Sequence, residues 1–173
     1  LGFGIKAGAL PLHVWLPLAH PAAPAPASAV LSGTMINAGL LGWLRFLPVG
    51  EAALPGWGEL MVLGGLAAAL YAVPFGFFQR DAKTILAYSS IAQISYMVVG
   101  MGLASALGVT ATLVHVFNHA LMKGALLMAA GAIVYRVGSS KLKNLNGIGR
   151  QMPWTFTAIF IAGLSLIGIP GTA

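Results

Sequence analysis

Residues 107–135 read LGVTATLVHVFNHALMKGALLMAAGAIVY, and their reading decides the fold. A membrane-spanning helix needs about 20 mainly apolar residues. This run exceeds that length and carries a single formal charge, Lys123. Lys123 lies about 16 residues into the run and about 12 from its end, so at about 1.5 Å per residue roughly 18–24 Å of helix flanks it on each side. Half the hydrocarbon thickness is about 15 Å. A lysine side chain cannot snorkel that far, and burying it costs about 2.5–3.5 kcal/mol even on a lenient insertion scale. Burial at that depth brings the charged and neutral amine closer in energy, so the group can both release and take a proton. The competing reading is a structural lysine fixed to backbone carbonyls inside a helix bundle.

His115 and His119 precede Lys123 by eight and four residues. That spacing stacks all three on one helix face. Histidine titrates near neutral pH, which suits it to relay protons. Each histidine alone reads more simply as an interhelical hydrogen-bonding group. Three ionisable groups in register read as a proton wire, with Asn118 and Thr112 adding polar atoms near the same stripe.

The rest of the chain has the same character. Of 173 residues, 58% are hydrophobic and 7% charged. An ordinary soluble domain has about 25% charged residues, so three acidic side chains cannot clothe a water-facing surface. About six apolar segments are expected, by the length a span needs: Leu1 to about Leu18, Ser28–Leu47, Glu59–Phe78, Thr84–Leu103, Leu107–Tyr135, and one starting near Trp154. The fold class is all-α, a polytopic transmembrane helix bundle forming a single membrane domain over residues 1–173. The connections carry turn residues, in Pro21–Pro26, Pro48–Gly58 and Gln79–Asp81. The one long loop, Gly138–Pro153, is basic. No initiator methionine opens the sequence and an apolar run closes it, so an internal segment of a longer protein is expected.

The net charge of +6 does not point to nucleic acid, because the basic residues sit at the ends of apolar segments. The first, third and fifth connections carry Arg80, Lys83, Arg136, Lys141, Lys143 and Arg150, whereas the second and fourth carry only Arg45. Positive charge marks the cytoplasmic side of a membrane protein. The Gly138–Pro153 loop is therefore expected in the cytoplasm, with the chain a multi-pass protein of a bacterial inner (plasma) membrane. Lys83, Arg80 and Arg45 end their helices and read as snorkelling or topology charges.

Two segments are interrupted, the first at Gly4, Gly8 and Pro11, the last at Gly168, Pro170 and Gly171. A pair of broken helices at corresponding positions points to a transporter built on inverted repeats, with its site at the breaks. The plainer alternative is two kinks that serve packing. Lys6 lies in the first break and reads equally as an interfacial anchor or a buried site. His13 and His20 flank Trp15 and Pro17 and can be interface anchors. Asn37, midway along the second segment, can hydrogen-bond or hold water but cannot carry a proton. Ser89, Gln93 and Tyr96 share a helical spacing that suits an interhelical polar seam or the wall of a hydrated path. Glu51, Glu59 and Asp81 lie in or beside loops.

Nothing in the sequence supports hydrolytic or nucleotide chemistry. It contains no phosphate-cradling Gly-Lys-Ser/Thr loop and no cysteine. The His115/His119 pair has no acid or thiolate beside it to complete a metal site. No cofactor is expected in this chain.

At these same residues the sequence resembles a known family. Lys6–His20, the Ala-Pro-Ala-Ser-Ala-Val-Leu-Ser-Gly run ending at Gly33, Asp81–Gln93 and His115–Lys123 are similar to the antiporter-like membrane subunits of respiratory complex I, of group 4 membrane-bound hydrogenases and formate hydrogenlyase, and of Mrp cation/proton antiporters. The resemblance covers essentially the whole chain. It implies two inverted five-helix repeats, each with a broken helix, of which this chain spans about the seventh to twelfth helices. It also implies that Lys6 is the lysine of the first broken helix and Lys123 the central lysine, with His115 and His119 beside it. Many members have a lysine where this chain has Asn37, so water or His13 and His20 would have to fill that link. The implied function is proton translocation in a redox-driven pump of the NADH:quinone oxidoreductase or hydrogenase type. Its implied partners are the other membrane-arm subunits, the lipid bilayer and protons. A Mrp-type antiporter handling Na+ and protons, and a structural subunit with impaired conduction, are the alternatives.

Overall fold

A computed structural model of the chain describes residues 1–47 and 56–169. Glu51, most of the Pro48–Gly58 connection, and Pro170 and Gly171 of the second break lie outside the described residues. The described helices are α1 (Gly2–Ala7), α2 (Trp15–Ala22), α3 (Ala25–Val30), α4 (Ile36–Phe46), α5 (Trp57–Phe77), α6 (Ala82–Gly102), α7 (Ala106–Val137), α8 (Ile148–Gln151) and α9 (Pro153–Ile167). Helices α3 and α4 are joined without interruption by a π-helical turn at Leu31–Met35. Among the described residues, four helical stretches are long and apolar enough to cross a membrane: Ala25–Phe46, Trp57–Phe77, Ala82–Gly102 and Ala106–Val137.

The expected six segments therefore resolve into four full-length spans, a shorter apolar helix at the end, and a broken piece at the start. Leu1–Leu18 is not one helix. Gly8 caps α1 in the left-handed region at φ +69°, a conformation a side chain would strain, and turns lead from there to α2. The indole of Trp15 reaches back across this break to donate to the Ile5 carbonyl at 2.8 Å. Gly168 closes α9 in the same left-handed way at φ +84°. The Pro21–Pro26 stretch, expected as a loop, is mostly helical. Pro21 sits inside α2 and Ala25 already opens α3.

The helices pack polar side inward. Leu60, Leu63, Leu66, Leu70 and Phe77 of α5, and Leu113, Val114, Phe117 and Leu121 of α7, are exposed, whereas His20, Ser32, Asn37, His119 and Lys123 are buried. Lipid tails solvate the former as readily as another helix would, so helices associate instead through close backbone approach and polar contacts. The α5–α6 pair shows the first means. Gly58 and Gly102 face each other so closely that a Cβ on either would lie 2.6–2.8 Å from the other's carbonyl, and Gly65 is pressed on Ser95 and Val99. Helix α1 meets α4 by the same device, with Gly39 against Ala7 and Phe3.

Three connections meet at one end of the bundle. Ala82 N–H donates to the Ser140 carbonyl and Leu142 N–H to the Arg80 carbonyl, each at 3.0 Å. The Asp81 side chain caps α6 through the Lys83 and Thr84 amides and also accepts from the Ser140 hydroxyl. The Lys83 ammonium donates to the Ala23 carbonyl between α2 and α3.

Candidate functional site

The centre of the bundle is the Lys123 amine. Helix α7 runs 32 residues without a break, and Lys123 is fully buried at 0% exposure. Its Nζ donates to the Leu86 carbonyl at 2.8 Å and to the Ser89 hydroxyl of α6. The same carbonyl accepts from the Ser89 and Ser90 hydroxyls, and Ser90 shares a 2.9 Å hydrogen bond with Ser32 of the π-helical turn. Both partners of the amine are thus neutral. A hydroxyl can accept from an ammonium and donate to a neutral amine, so Ser89 suits either charge state of Lys123.

His119 lies one turn before Lys123 and is also 0% exposed, with neither ring nitrogen hydrogen-bonded to protein. One turn further, the His115 ring stands 6.5 Å from that of His119, centroid to centroid. Gln93 donates from Nε2 to the Leu166 carbonyl in the last turn of α9, at 3.3 Å. That orientation turns its Oε1 to His115 Nε2 at 2.6 Å, so the imidazole donates there. The structure therefore aligns Lys123, His119, His115 and Gln93 from the middle of α7 to the end of α9, just before the turn at Gly168.

Asn37 of α4 is also buried. Its amide donates to Gly33 within its own helix at 2.8 Å and to Val116 of α7 at 3.3 Å. Its Oδ1 is left without a protein partner. The π-helical turn brings Ser32, Gly33 and Asn37 onto α6 and α7. A Cβ at Gly33 would already lie 3.3 Å from the Ala120 carbonyl. An inserted turn of this kind carries no residue signature and recurs at functional sites.

The remaining sequence candidates divide. His20 on α2 is fully buried, with both ring nitrogens free of protein partners. His13 is buried but belongs elsewhere: its ring packs edge-on to Tyr71, with Nε2 3.4 Å from the phenol oxygen. Lys6 is exposed on α1, which packs against α4. Ser89 and Gln93 face the Lys123 stripe, but Tyr96 is half exposed and takes no part in that seam. Lys83, read from the sequence as a snorkelling or topology charge at a helix end, lies in the first turn of α6 and is 6% exposed. It lies near the end of its own helix, yet α2 ends directly on top of it. Among the described residues, no group of three His, Cys, Asp or Glu side chains converges as a metal site would require.

Chemically, the arrangement sets three titratable side chains, spaced one helical turn apart, along one face of a membrane-spanning helix. The chain is similar to the hydrogenase-4 component B of Escherichia coli, with 36% identity over 98% of this chain and 27% of that protein. It is 40% identical to the NADH-quinone oxidoreductase subunit N of Desulforudis audaxviator, over 99% of this chain and 35% of that one. It thus spans about a quarter to a third of the length of these relatives. The Mrp complex from Dietzia sp. contains a chain of the same fold, with a TM-score of 0.91 at 29% identity, covering 97% of this chain and 32% of that one. A family model described as the transmembrane region of NADH:quinone oxidoreductase and Mrp antiporter subunits matches residues 1–173, and the chain belongs to that family.

Proposed function

We propose that this segment is the proton-conducting core of a membrane subunit in a redox-driven pump of the NADH:quinone oxidoreductase or membrane-bound hydrogenase type. The observation that carries this reading is Lys123, which is fully buried and hydrogen-bonded by neutral groups alone. A buried cation with no charged hydrogen-bond partner is costly, and inside membrane proteins such groups mark ion and proton paths. In this reading Lys123 takes a proton from one side and hands it along His119 and His115 towards the break after α9. Charge changes in neighbouring membrane-arm subunits drive each transfer. Lys6, His20 and Asn37 belong to the other leg, where Asn37 can orient water but cannot itself carry the proton. The subunit sits in the plasma membrane with the Gly138–Pro153 loop in the cytoplasm.

The test is Lys123→Met in the full-length protein within its complex, reconstituted in vesicles. Redox-linked proton pumping should fall by about tenfold or more, as expected for removal of a group that transfers the proton itself. Pumping at the wild-type rate would sink the proposal. The likeness to the Mrp complex supports a second reading, a cation/proton antiporter without a redox partner. There an imposed Na+ gradient, and no electron donor, would drive proton movement in the same vesicles. Asn37 supports a third, a structural subunit with impaired conduction. A gain in proton flux in Asn37→Lys would favour it.

A further inference from the structure

The loop between α7 and α9 carries two kinds of residue in alternation. Ser140, Leu142, Leu145 and Ile148 line a cavity, whereas Lys141, Lys143 and Arg150 are exposed. The cavity measures about 310 Å³ and is bounded by α6, α7, α9 and the loop itself. Leu126, Ala130 and Ile133 of α7 form its buried floor, and the more exposed Leu142 and Phe156 stand at its rim. Among the described residues, Ser140 supplies the lining's only polar side chain, and its hydroxyl already donates to Asp81. Such a cavity gives water too few of the polar partners it needs, so its natural occupant is apolar.

Two observations fix the level of this cavity in the membrane and the charge above it. Tyr135 and Trp154 bracket the loop in the sequence and are 95% and 87% exposed. Exposed Tyr and Trp collect at the level of the lipid headgroups, so the loop lies at that level and the cavity beside α6, α7 and α9 lies at acyl-chain depth. Arg80 and Arg136 add exposed positive charge at the same end. Asp81 is the acid at this end among the described residues, and the Lys83 and Thr84 amides and the Ser140 hydroxyl take up its carboxylate. The exposed basic side chains are thus left to an anion from outside the chain. An acidic protein docking from water would meet the charges and leave the cavity empty. A zwitterionic lipid would fill the cavity and leave the charges unanswered.

We propose that the loop and the cavity together bind one anionic phospholipid of the adjoining leaflet, with an acyl chain in the cavity and the phosphate on Lys141, Lys143 and Arg150. Leu86 lines the same cavity, and its carbonyl accepts from Lys123. The bound chain therefore also keeps water off that wall of the central site.

The test uses the full-length protein in its complex, reconstituted in phosphatidylcholine vesicles with a small fraction of a lipid carrying a photoactivatable diazirine in one acyl chain. With phosphatidylglycerol as that probe, the α7 peptide around Ala130 and the loop peptide should be labelled several-fold more than with the matched phosphatidylcholine probe. One basic residue near an anionic lipid surface strengthens binding about fivefold. Lys141→Gln, Lys143→Gln and Arg150→Gln combined should therefore lower phosphatidylglycerol labelling by about tenfold or more and leave phosphatidylcholine labelling unchanged. Arg80 and Arg136 remain in that variant to hold its orientation. Ala130→Leu fills the floor of the cavity without touching any charge, and should lower labelling of the α7 peptide. Assembly of each complex is checked by native gel. Equal labelling of the wild type by the two probes would make the cavity an unselective lipid contact and overturn the proposal. Absence of label from both probes would overturn it too, since protein then covers the cavity. If the triple variant assembles and keeps its preference for phosphatidylglycerol, the basic residues do not hold the headgroup and the proposal fails. Should that variant not assemble, unchanged α7 labelling in Ala130→Leu is enough to reject it.

Discussion

Gln93 holds α6, α7 and α9 together through one amide, because its oxygen accepts from His115 and its nitrogen donates to Leu166. Gln93→Leu removes both bonds at nearly constant volume and leaves the imidazole N–H without its acceptor. The expected cost is about 1–3 kcal/mol of stability, seen as a lowered midpoint in thermal unfolding of the detergent-solubilised protein. Proton flux should fall with it, since His115 is no longer aimed at the end of α9. An unchanged midpoint would show that the pair contributes nothing. Lys123 and its two histidines are legible from the sequence, because depth along an uninterrupted apolar run measures depth in the membrane. Lys83 is not legible by that measure. Its own helix places it near an end, and its burial comes from the end of α2, 60 residues earlier in the chain, arriving over it. Gln93 is legible only as a polar residue at helical spacing. Nothing in the spacing separates it from Tyr96, which faces outward.

At the scale of elements, the helices follow directly from hydropathy, and their observed limits lie within a few residues of those expected from the sequence for the four long spans. The break after α1 is legible for a local reason, since Gly8 permits the left-handed conformation that ends the helix, and Gly168 ends α9 in the same way. The π-helical turn at Leu31–Met35 is not, because it depends on how Ser32 and Gly33 meet α6 and α7. How α1 is held is equally a matter of packing. Gly39 of α4 lies where a Cβ would be 2.5 Å from the Ala7 amide nitrogen and 2.8 Å from the Phe3 carbonyl oxygen. Backbone cannot give way as a flexible side chain would, so Gly39→Ala must push α1, and Lys6 with it, off α4. Overpacking of this sort costs about 1–3 kcal/mol. Gly64→Ala on α5, where a Cβ meets nothing within 4 Å, is the matched control and should be neutral or slightly stabilising. Equal thermal midpoints for the two variants would refute the close α1–α4 contact.

Over the whole molecule, the count of basic residues in alternate loops and the observed contacts lead to the same topology by independent means. Arg80 and Leu142 are joined by a backbone hydrogen bond, and Lys83 by another to Ala23, so the α2–α3, α5–α6 and post-α7 connections share one end of the bundle. The close approach of Gly58 and Gly102 puts the start of α5 beside the end of α6 at the other. Which end faces the cytoplasm follows from charge alone, because Lys and Arg are retained on that side during insertion. The chain has no cysteine of its own, which makes the assignment directly measurable. Asn146 in the basic loop and Leu103 at the end of α6 are both exposed, and replacing either with cysteine leaves the charge bias intact. In a cysteine-free background of the full-length protein, a membrane-impermeant maleimide added to intact cells should label Leu103→Cys and spare Asn146→Cys. In inverted vesicles the pattern should reverse. Labelling of Asn146→Cys from outside intact cells would turn the bundle over. It would then place His119 and His115 on the cytoplasmic side of Lys123, and the proposed route would run in the opposite sense across the membrane.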